Sequence, residues 1–529
     1  MKTWLALGVI TWGTTVAGAP DPWATNAKPP VVSSDLRGPA PEVLTWPKLA
    51  LPPVPTFEVP VSPAGMHGTR ELAVAGKPLL GTEITVAGYV IWIYDCLSAV
   101  QKPGTSRAKA QKVIDDDPTL CERKKLYLGD TKDTPLEKGL WVVDVPRPPN
   151  KLEKERLPKE DLAAWPKVPD LKVGAYVTVT GTFAMSSPHS ERNSDGLLVW
   201  KSFQVATPTP LQMKPAPTST RTPPAFKVPA PASKSPSSQL AKNDSVKSSN
   251  EGSKAYGQKQ FQVAIDRYRD AIKAWDGNHV AWYGMGGALL LQGDWPAAAD
   301  AMKHAFELVP TEPMYAMVYG YTLYEAALST ARTAQARSEG RTPEEIIPDL
   351  STVNFDQAEQ VLRYATKLNN DLWRAHYYLG RIERDAGRAK TAADGFTLAL
   401  ARGPAAPGPY VALAELYRLW QRPDLAVAVA QLGTQQVTGP EGSDVWYEVG
   451  MSYDDQKQDD KAIEAFTKAL DARAGNAKAR FQRGQAYFRS GKKAPAKQDL
   501  EEFVRTAASN SEFAKEQANK MLLDLAAKK

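Results

Sequence analysis

NHVAWYGMGGALLLQGDWPAAADAMKHAFELVPT, residues 278–311, shows how the C-terminal half of this chain folds. Apolar and small residues recur at the spacing of one helix face in its first part and again in its second part, and Pro310 closes the segment. These residues are Trp282, Met285, Gly286 and Leu289, followed by Ala298, Met302 and Ala305. The pattern predicts two helices joined by a turn within 34 residues.

The same pattern returns from about residue 243 to the C-terminus, marked by a small residue wherever two helices cross. On the first helix these are Gly252, Gly286, Gly320, Gly380, Ala414, Gly450 and Gly484, and on the second Ala264, Ala298, Ala358, Ala392, Ala426, Ala462 and Ala496. Small residues let helix axes approach closely. Residues 250–529 are therefore predicted to form an all-α array of about seven units, with about 26 extra residues between Leu323 and Phe355. Residues 511–525 are predicted to form a capping helix.

These repeated positions resemble the tetratricopeptide repeat, although Pro423 and Gly433 in the fifth unit and Phe503 in the seventh depart from its pattern. The resemblance implies a superhelix whose first helices line a concave surface that holds partner proteins. Carried over by register, the partner-binding groove consists of Tyr283, Met317, Tyr321, Tyr324, Arg374, Tyr377, Arg381, Arg384, Arg418 and Tyr447.

The middle of this groove is basic and aromatic. Guanidinium groups bind carboxylates in pairs, and tyrosines add contact area at low entropic cost. We therefore expect a protein partner with an acidic or carboxylate-bearing segment. The alternative is that these side chains form the solvated inner face of a superhelix.

The N-terminus is typical of an exported protein. Residues 1–18 have Lys2, a short apolar core and small residues from Val16 to Gly18, which predicts a signal peptide cleaved after Gly18; the alternative is an uncleaved apolar start. Residues 19–63 are predicted to form a Pro-rich tether, with a docking peptide as the alternative, and residues 207–249 a Pro/Ser/Lys-rich linker. No other segment has about 20 continuous apolar residues, so we expect no transmembrane segment in the mature chain and a periplasmic or secreted location.

Residues 64–206 change to the period of strands and predict a small all-β barrel. Five strands are predicted, with Gly88 marking a bulge or sharp bend in the first and a partly helical segment over 151–165 before the fourth: 82–95, 125–128, 140–145, 175–183 and 197–205. This order is similar to the OB-fold, a Greek-key barrel.

Such barrels often bind nucleic acid through aromatic and basic residues. The residues available here are Trp92, Tyr94, Lys124, Lys125, Tyr127 and Trp141. Export argues against nucleic acid, so contact with peptide, glycan or protein is the better functional hypothesis. The alternative is that these rings fill the barrel or its cover.

Cys96 and Cys121 are the only cysteines. In an oxidising compartment they are expected to pair; the alternative is two buried thiols. Two cysteines cannot supply a metal site by themselves, and none of the five histidines is spaced as a metal ligand on a helix. No phosphate loop or nucleophile elbow occurs, so we expect no metal, no cofactor and no enzymatic activity.

Two hypotheses for function follow. The first is an exported scaffold that mediates protein–protein interactions in a cell-envelope assembly, such as a secretion, pilus, motility or outer-membrane machine. The second is a ligand-binding module in which the barrel binds glycan or nucleic acid and the array mediates oligomerisation. The net charge of +6 is small for 529 residues and does not by itself imply nucleic acid.

Overall fold

The computed structural model describes residues 49–61, 65–76, 79–100, 106–134, 136–189, 192–209, 212–216, 226–232, 234–340, 342–343, 346, 348, 350, 353–507 and 512–527. The predicted signal peptide and residues 19–48 of the predicted tether lie outside the described residues. The described residues form one compact unit within Thr56–Pro217 and a second within Thr218–Lys529.

The described part of the first unit contains seven β-strands, and five of them close into a barrel in the order β2-β3-β4-β6-β5. The strands are β1 Glu58–Val61, β2 Glu83–Ile93, β3 Leu126–Gly129, β4 Leu140–Val143, β5 Tyr176–Ser186, β6 Arg192–Val205 and β7 Gln212–Pro215. Strands β4 and β6 pair in parallel, and the other neighbours are antiparallel. The predicted five-stranded barrel is confirmed, and its assignment to the OB-fold stays a prediction.

The long strand β2 closes the barrel because its first half pairs with β5 and its second half with β3. The predicted irregularity is a register shift between Val90 and Trp92, just after Gly88. Gly88 itself is required by close approach, because a Cβ atom there would lie 2.9 Å from the Gly129 carbonyl oxygen. The barrel interior is filled by alternate residues of the strands, including Val86, Val90 and Val179, which are almost fully buried.

Short helices connect the strands. They are α1 Thr69–Ala75, α2 Cys96–Val100, α3 Arg107–Asp116, α4 Lys151–Arg156 and α5 Lys159–Ala163. Helices α4 and α5 precede the fourth barrel strand, where the sequence predicts helical structure. Cys96 and Cys121 form a disulfide that closes the segment holding α2 and α3, as expected for an oxidising compartment.

Strands β1 and β7 correct the predicted boundaries of this unit. β1 falls in the predicted tether of residues 19–63 and β7 in the predicted linker of residues 207–249, and the two pair antiparallel. Phe57 and Val59 are buried and Glu58 is exposed, which is the alternation of a strand. The prolines of these segments obscured two strands of only four residues each.

The described part of the second unit consists of seven consecutive helix pairs and one final helix, as predicted. They are α6 Gln239–Gly257, α7 Phe261–Ala274, α8 His279–Gln292, α9 Trp295–Leu308, α10 Pro313–Glu339, α11 Asp356–Leu368, α12 Trp373–Asp385, α13 Ala389–Arg402, α14 Pro407–Leu419, α15 Pro423–Gln436, α16 Gly442–Asp455, α17 Asp459–Ala472, α18 Ala477–Arg489, α19 Lys493–Thr506 and α20 Glu512–Ala527. Many of the extra residues of the third unit lengthen α10, which has 27 residues where α8 has 14.

The predicted linker ends earlier than residue 249. Helix α6 begins at Gln239, and its Ser245 and Ser249 are fully buried. The preceding residues also lie against the array: the Phe226 ring is 5.4 Å from that of Tyr364, and Ala232 N donates to the Glu307 carbonyl at 2.9 Å. The Ser- and Lys-rich composition hid this helix because its buried positions hold small polar residues.

Each crossing glycine on a first helix lies against a large side chain on the second helix. A Cβ atom added at Gly380 would lie 2.7 Å from the Phe396 ring, and one at Gly450 would lie 2.4 Å from the Phe466 ring. The pairs have no room for a methyl group, so glycine is required there by packing.

Replacing Gly380 by leucine is therefore expected to lower the free energy of unfolding of the array by about 1–3 kcal/mol or more, because the side chain overpacks the α12–α13 contact. Urea denaturation followed by circular dichroism measures this change. Gly257→Leu is the matched control: a Cβ there meets no atom within 4 Å, so its effect should stay within about 0.5 kcal/mol. Equal effects of the two variants would contradict the assigned crossing point.

Candidate partner-binding groove

The predicted groove residues lie on the first helices of successive units. These helices contact one another along the array, α6 with α8, α10 with α12, α12 with α14, α14 with α16 and α16 with α18. We call them the first-helix row. Because each first helix from α10 to α18 contacts the next one in the row, side chains from different units can meet there.

The aromatic part of the predicted groove is largely packed inside the array. Tyr324 is fully buried, and Met317 and Tyr321 are 3% and 5% exposed. The Tyr321 ring stacks on that of Tyr378 at 4.9 Å, while Tyr283 is half-buried with its ring 4.8 Å from that of Tyr315. Most of these side chains therefore pack beneath the groove surface.

Arg381 is buried at the centre of a cluster from the third and fourth units. Its Nη1 donates to Glu325 Oε1 at 2.6 Å, and both side chains are nearly inaccessible, at 9% and 13% exposure. Its guanidinium lies over three tyrosine rings at 4.7–5.8 Å from their centres, those of Tyr324, Tyr377 and Tyr378. We call these five residues the Arg381 cluster. Burial would lower the pKa of Arg381, but Glu325 and the tyrosines outweigh it and hold the pKa above its usual value.

Tyr324 and Arg384 connect the Arg381 cluster to the fifth unit. Tyr324 Oη donates to Asp385 Oδ2 at 2.5 Å, and burial raises the pKa of this phenol, which keeps it a donor. Arg384 Nε donates to the other oxygen of Asp385 at 3.0 Å, and its Nη1 is 3.9 Å from Glu415. Arg384 keeps 20% of its side chain exposed, more than Arg381 does.

Arg418 is paired in the same way between the fifth and sixth units. It donates to Glu448 Oε2 at 3.0 Å and to Asp455 Oδ2 at 2.8 Å. Burial by itself would lower the pKa of Arg418. The two carboxylates have the larger effect and hold the pKa above its usual value, so the guanidinium stays charged. Burial also raises the pKa of the Glu448 carboxyl, which Arg418 opposes.

The remaining predicted residues are half-buried: Arg374, Tyr377 and Tyr447. Arg374 lies over the Trp373 ring at 4.5 Å, and Tyr447 is 5.9 Å from the Phe466 ring. The structure thus brings the arginines of units four and five together with carboxylates that did not enter the predicted site, Glu325, Asp385, Glu448 and Asp455. Three of these follow a predicted groove residue directly in the chain, a signal that was available in the sequence.

The aromatic and basic residues of the barrel form a packed cluster. Tyr127 and Trp141 are buried, with ring centres 5.7 Å apart. Lys125 is 4% exposed and pairs with Glu122 at 2.6 Å. Burial lowers the pKa of Lys124. The rings of Tyr127 and Trp141 are therefore not available for stacking on bases. They fit the alternative that these rings fill the barrel or its cover.

Two further properties of the described residues bear on function. Among them, no group of three or more His, Cys, Asp or Glu side chains is arranged to hold a metal ion. None of the helices in the described ranges combines the length and apolar character needed to cross a membrane.

Comparison with known families and structures gives matches for the array. Models of the tetratricopeptide repeat match residues 250–313, 353–407, 443–476 and 478–509. They do not match residues 314–352, which include nearly all of α10, or residues 408–442, which include most of the fifth unit. The seventh unit is matched in spite of Phe503. No curated protein has a sequence that matches this chain.

Several solved structures are similar to part of the chain. The tetratricopeptide repeat protein TTC0263 of Thermus thermophilus is 22% identical, with 40% of this chain and 98% of that chain covered and a TM-score of 0.30. A tetratricopeptide repeat protein of Parabacteroides merdae is 12% identical over 54% of this chain and 99% of its own, with a TM-score of 0.37. In the Cut9–Hcn1 hetero-tetramer of the APC/C, the match is 15% identical, covers 52% of this chain and 48% of that chain, and has a TM-score of 0.37. This chain thus spans about half the length of the last structure.

Proposed function

Because four segments between residues 250 and 509 are tetratricopeptide repeats, we propose that this chain is an exported, non-enzymatic scaffold whose array binds a protein partner. The observation that carries the proposal is the series of first helices, which contact one another from α10 to α18 and share side-chain contacts between units. Tetratricopeptide arrays use this surface to hold proteins together.

The partner-binding surface proposed here is centred on units four and five. Tyr377 and Arg384 of unit four are half-buried, as is Tyr447 of the adjoining unit six, so part of each side chain can contact a ligand. The partner is a segment that carries carboxylates, which bind guanidinium in pairs. Arg381, Arg384 and Arg418 each have a carboxylate within 3.0 Å, but Arg384 is the most exposed of the three. Its second carboxylate, Glu415, is 3.9 Å away and can be replaced, so Arg384 is the principal contact.

The location proposed is the cell envelope, where the scaffold joins components of a secretion, pilus, motility or outer-membrane assembly. Two observations support export: the signal-like residues 1–18 and the Cys96–Cys121 disulfide, which persists in oxidising compartments. Protein purified from the envelope fraction should begin near Ala19. An intact Met1 in that fraction would contradict cleavage.

The groove is tested by crosslinking and affinity recovery of partners from envelope extract with full-length protein. Arg384→Gln is expected to reduce recovery at least about tenfold, because the loss of a charged hydrogen-bonding group at an interface costs on the order of 1.4 kcal/mol or more. Recovery by the native protein should also fall as salt rises, since exposed charges are screened.

Arg269→Gln is the matched control, because it removes one guanidinium from the second helix α7, where Arg269 is 64% exposed. It should recover the same partners as the native protein. Circular dichroism must show unchanged helix content in both variants. Recovery of the same partners by folded Arg384→Gln would exclude the groove as proposed.

A further inference from the structure

The barrel carries a pocket on its outer surface. Its volume is about 500 Å³, within the range of about 300–1,000 Å³ found for small-molecule sites. Ala87 and Tyr89 of β2 and Tyr176 of β5 form its floor. Along β2, Ala87 and Tyr89 alternate with the core residues Val86 and Val90. The loop 130–133 between β3 and β4 and residues 208–209 after β6 form its walls.

The floor is an aromatic surface next to a small residue. Tyr89 and Tyr176 are directly opposite each other on neighbouring strands, with ring centres 4.9 Å apart and planes at 69°. Ala87 lies two residues before Tyr89 and leaves the space that a larger side chain would fill. Tyr89 is half-buried, so part of its ring faces the pocket.

The wall formed by residues 130–133 is held in place by hydrogen bonds between backbone amides and side-chain oxygens. The Asp130 carboxylate accepts from Thr69 N at 2.6 Å and Arg70 N at 3.0 Å, the first amides of α1. Thr131 N donates to Thr134 Oγ1 at 3.1 Å. The pocket is therefore built before any ligand binds, which lowers the entropic cost of binding.

Polar groups of both signs surround the aromatic floor. Lys132, Asp133 and Thr209 are exposed on the rim. Lys132 Nζ lies 5.6 Å from the centre of the Tyr89 ring and, within the described ranges, is in no ion pair. The rim thus offers an ammonium donor, a carboxylate acceptor and a hydroxyl that can do either.

We propose that this pocket binds a short neutral oligosaccharide. The C–H face of a sugar ring packs on the tyrosines, and its hydroxyl groups donate to Asp133 and accept from Lys132. An anionic ligand would meet the carboxylates of Asp130 and Asp133, and a cationic one would meet Lys132 over the Tyr89 ring. A polyol carries no charge and uses donors and acceptors together. This inference is independent of the proposed groove of the array.

The test is isothermal titration calorimetry of the full-length protein with cellotriose, maltotriose and N,N′,N″-triacetylchitotriose, and with trigalacturonate as the anionic comparison. At least one neutral trisaccharide should bind saturably, and Tyr89→Ala should weaken it at least about tenfold. Lys132→Ala, an exposed change that leaves the fold intact, should weaken it about threefold or more. Thr85→Ala is the control, because it lies on the same face of β2 and pairs with Thr180 outside the pocket.

Loss of neutral-sugar binding in both pocket variants with retention in Thr85→Ala supports the proposal. It is overturned if no neutral probe binds at about 10 mM, if trigalacturonate alone binds, or if both pocket variants bind as the native protein does.

Discussion

Replacing Arg381 by methionine is expected to lower the free energy of unfolding of the array by about 3–5 kcal/mol, because it leaves the Glu325 carboxylate buried without its partner. Both side chains are nearly inaccessible, and their nitrogen and oxygen atoms are 2.6 Å apart. The three tyrosine rings of the Arg381 cluster also lose their cation. Guanidinium chloride denaturation followed by circular dichroism and tyrosine fluorescence measures the change.

A second substitution separates the buried charge from the packing. Arg381→Met combined with Glu325→Leu removes both charges and should recover most of the lost stability, since a buried ion pair can often be replaced by apolar residues at little cost. Arg269→Met is the exposed control: its pair with Asp266 lies in solvent and contributes about 0–1 kcal/mol. If Arg381→Met costs no more than Arg269→Met, the Arg381 cluster is open to water in solution.

This burial also decides how the groove can be tested. The sequence alone suggests reversing the charge of Arg381 and Arg384 together, as if both were solvated. In the structure, Arg381→Glu would place a second carboxylate beside Glu325 in a buried site. Loss of partner binding would then report unfolding, so Arg384→Gln is the better variant.

The array could be predicted from the sequence because each unit repeats the same local contacts. Gly380 and Phe396 are 16 positions apart within one unit, and the same spacing returns at Gly450 and Phe466. The ion pairs could not be predicted this way. Arg381 and Glu325 are 56 residues apart and belong to different units, so their contact depends on the superhelical packing of units. Sequence register places side chains on a face, but it does not say which carboxylate reaches them.

At the ends of both units, segments that are ordered only by contacts with distant residues could not be predicted from local sequence either. The barrel strands were recognisable from long alternating segments such as β2, whereas β1 and β7 have four residues each and contain prolines. Their pairing joins residues about 150 positions apart, for example Val59 with Lys214. Residues 226–232 likewise have no periodicity, and they are ordered by contacts of Phe226 and Ala232 with distant helices.

Removing the Cys96–Cys121 disulfide is expected to lower the stability of the barrel by about 3 kcal/mol. The bond joins residues 25 positions apart, and closing a loop of that size reduces the entropy of the unfolded chain by roughly this amount. The loop holds α2 and α3 and leads directly into β3. Strands β3 and β4 should therefore become less protected from exchange with solvent.

Hydrogen exchange followed by mass spectrometry measures this locally. Peptides that contain Leu126–Gly129 and Leu140–Val143 are expected to exchange about 100-fold faster in Cys96→Ser/Cys121→Ser, because about 3 kcal/mol corresponds to roughly that ratio when these strands open by unfolding of the barrel. The native protein should bind no thiol-alkylating reagent until reduced, and its reduced form should exchange like the double variant. Free alkylation of both cysteines in oxidised native protein, or unchanged protection of β3 and β4 in the variant, would show that the disulfide does not stabilise the barrel.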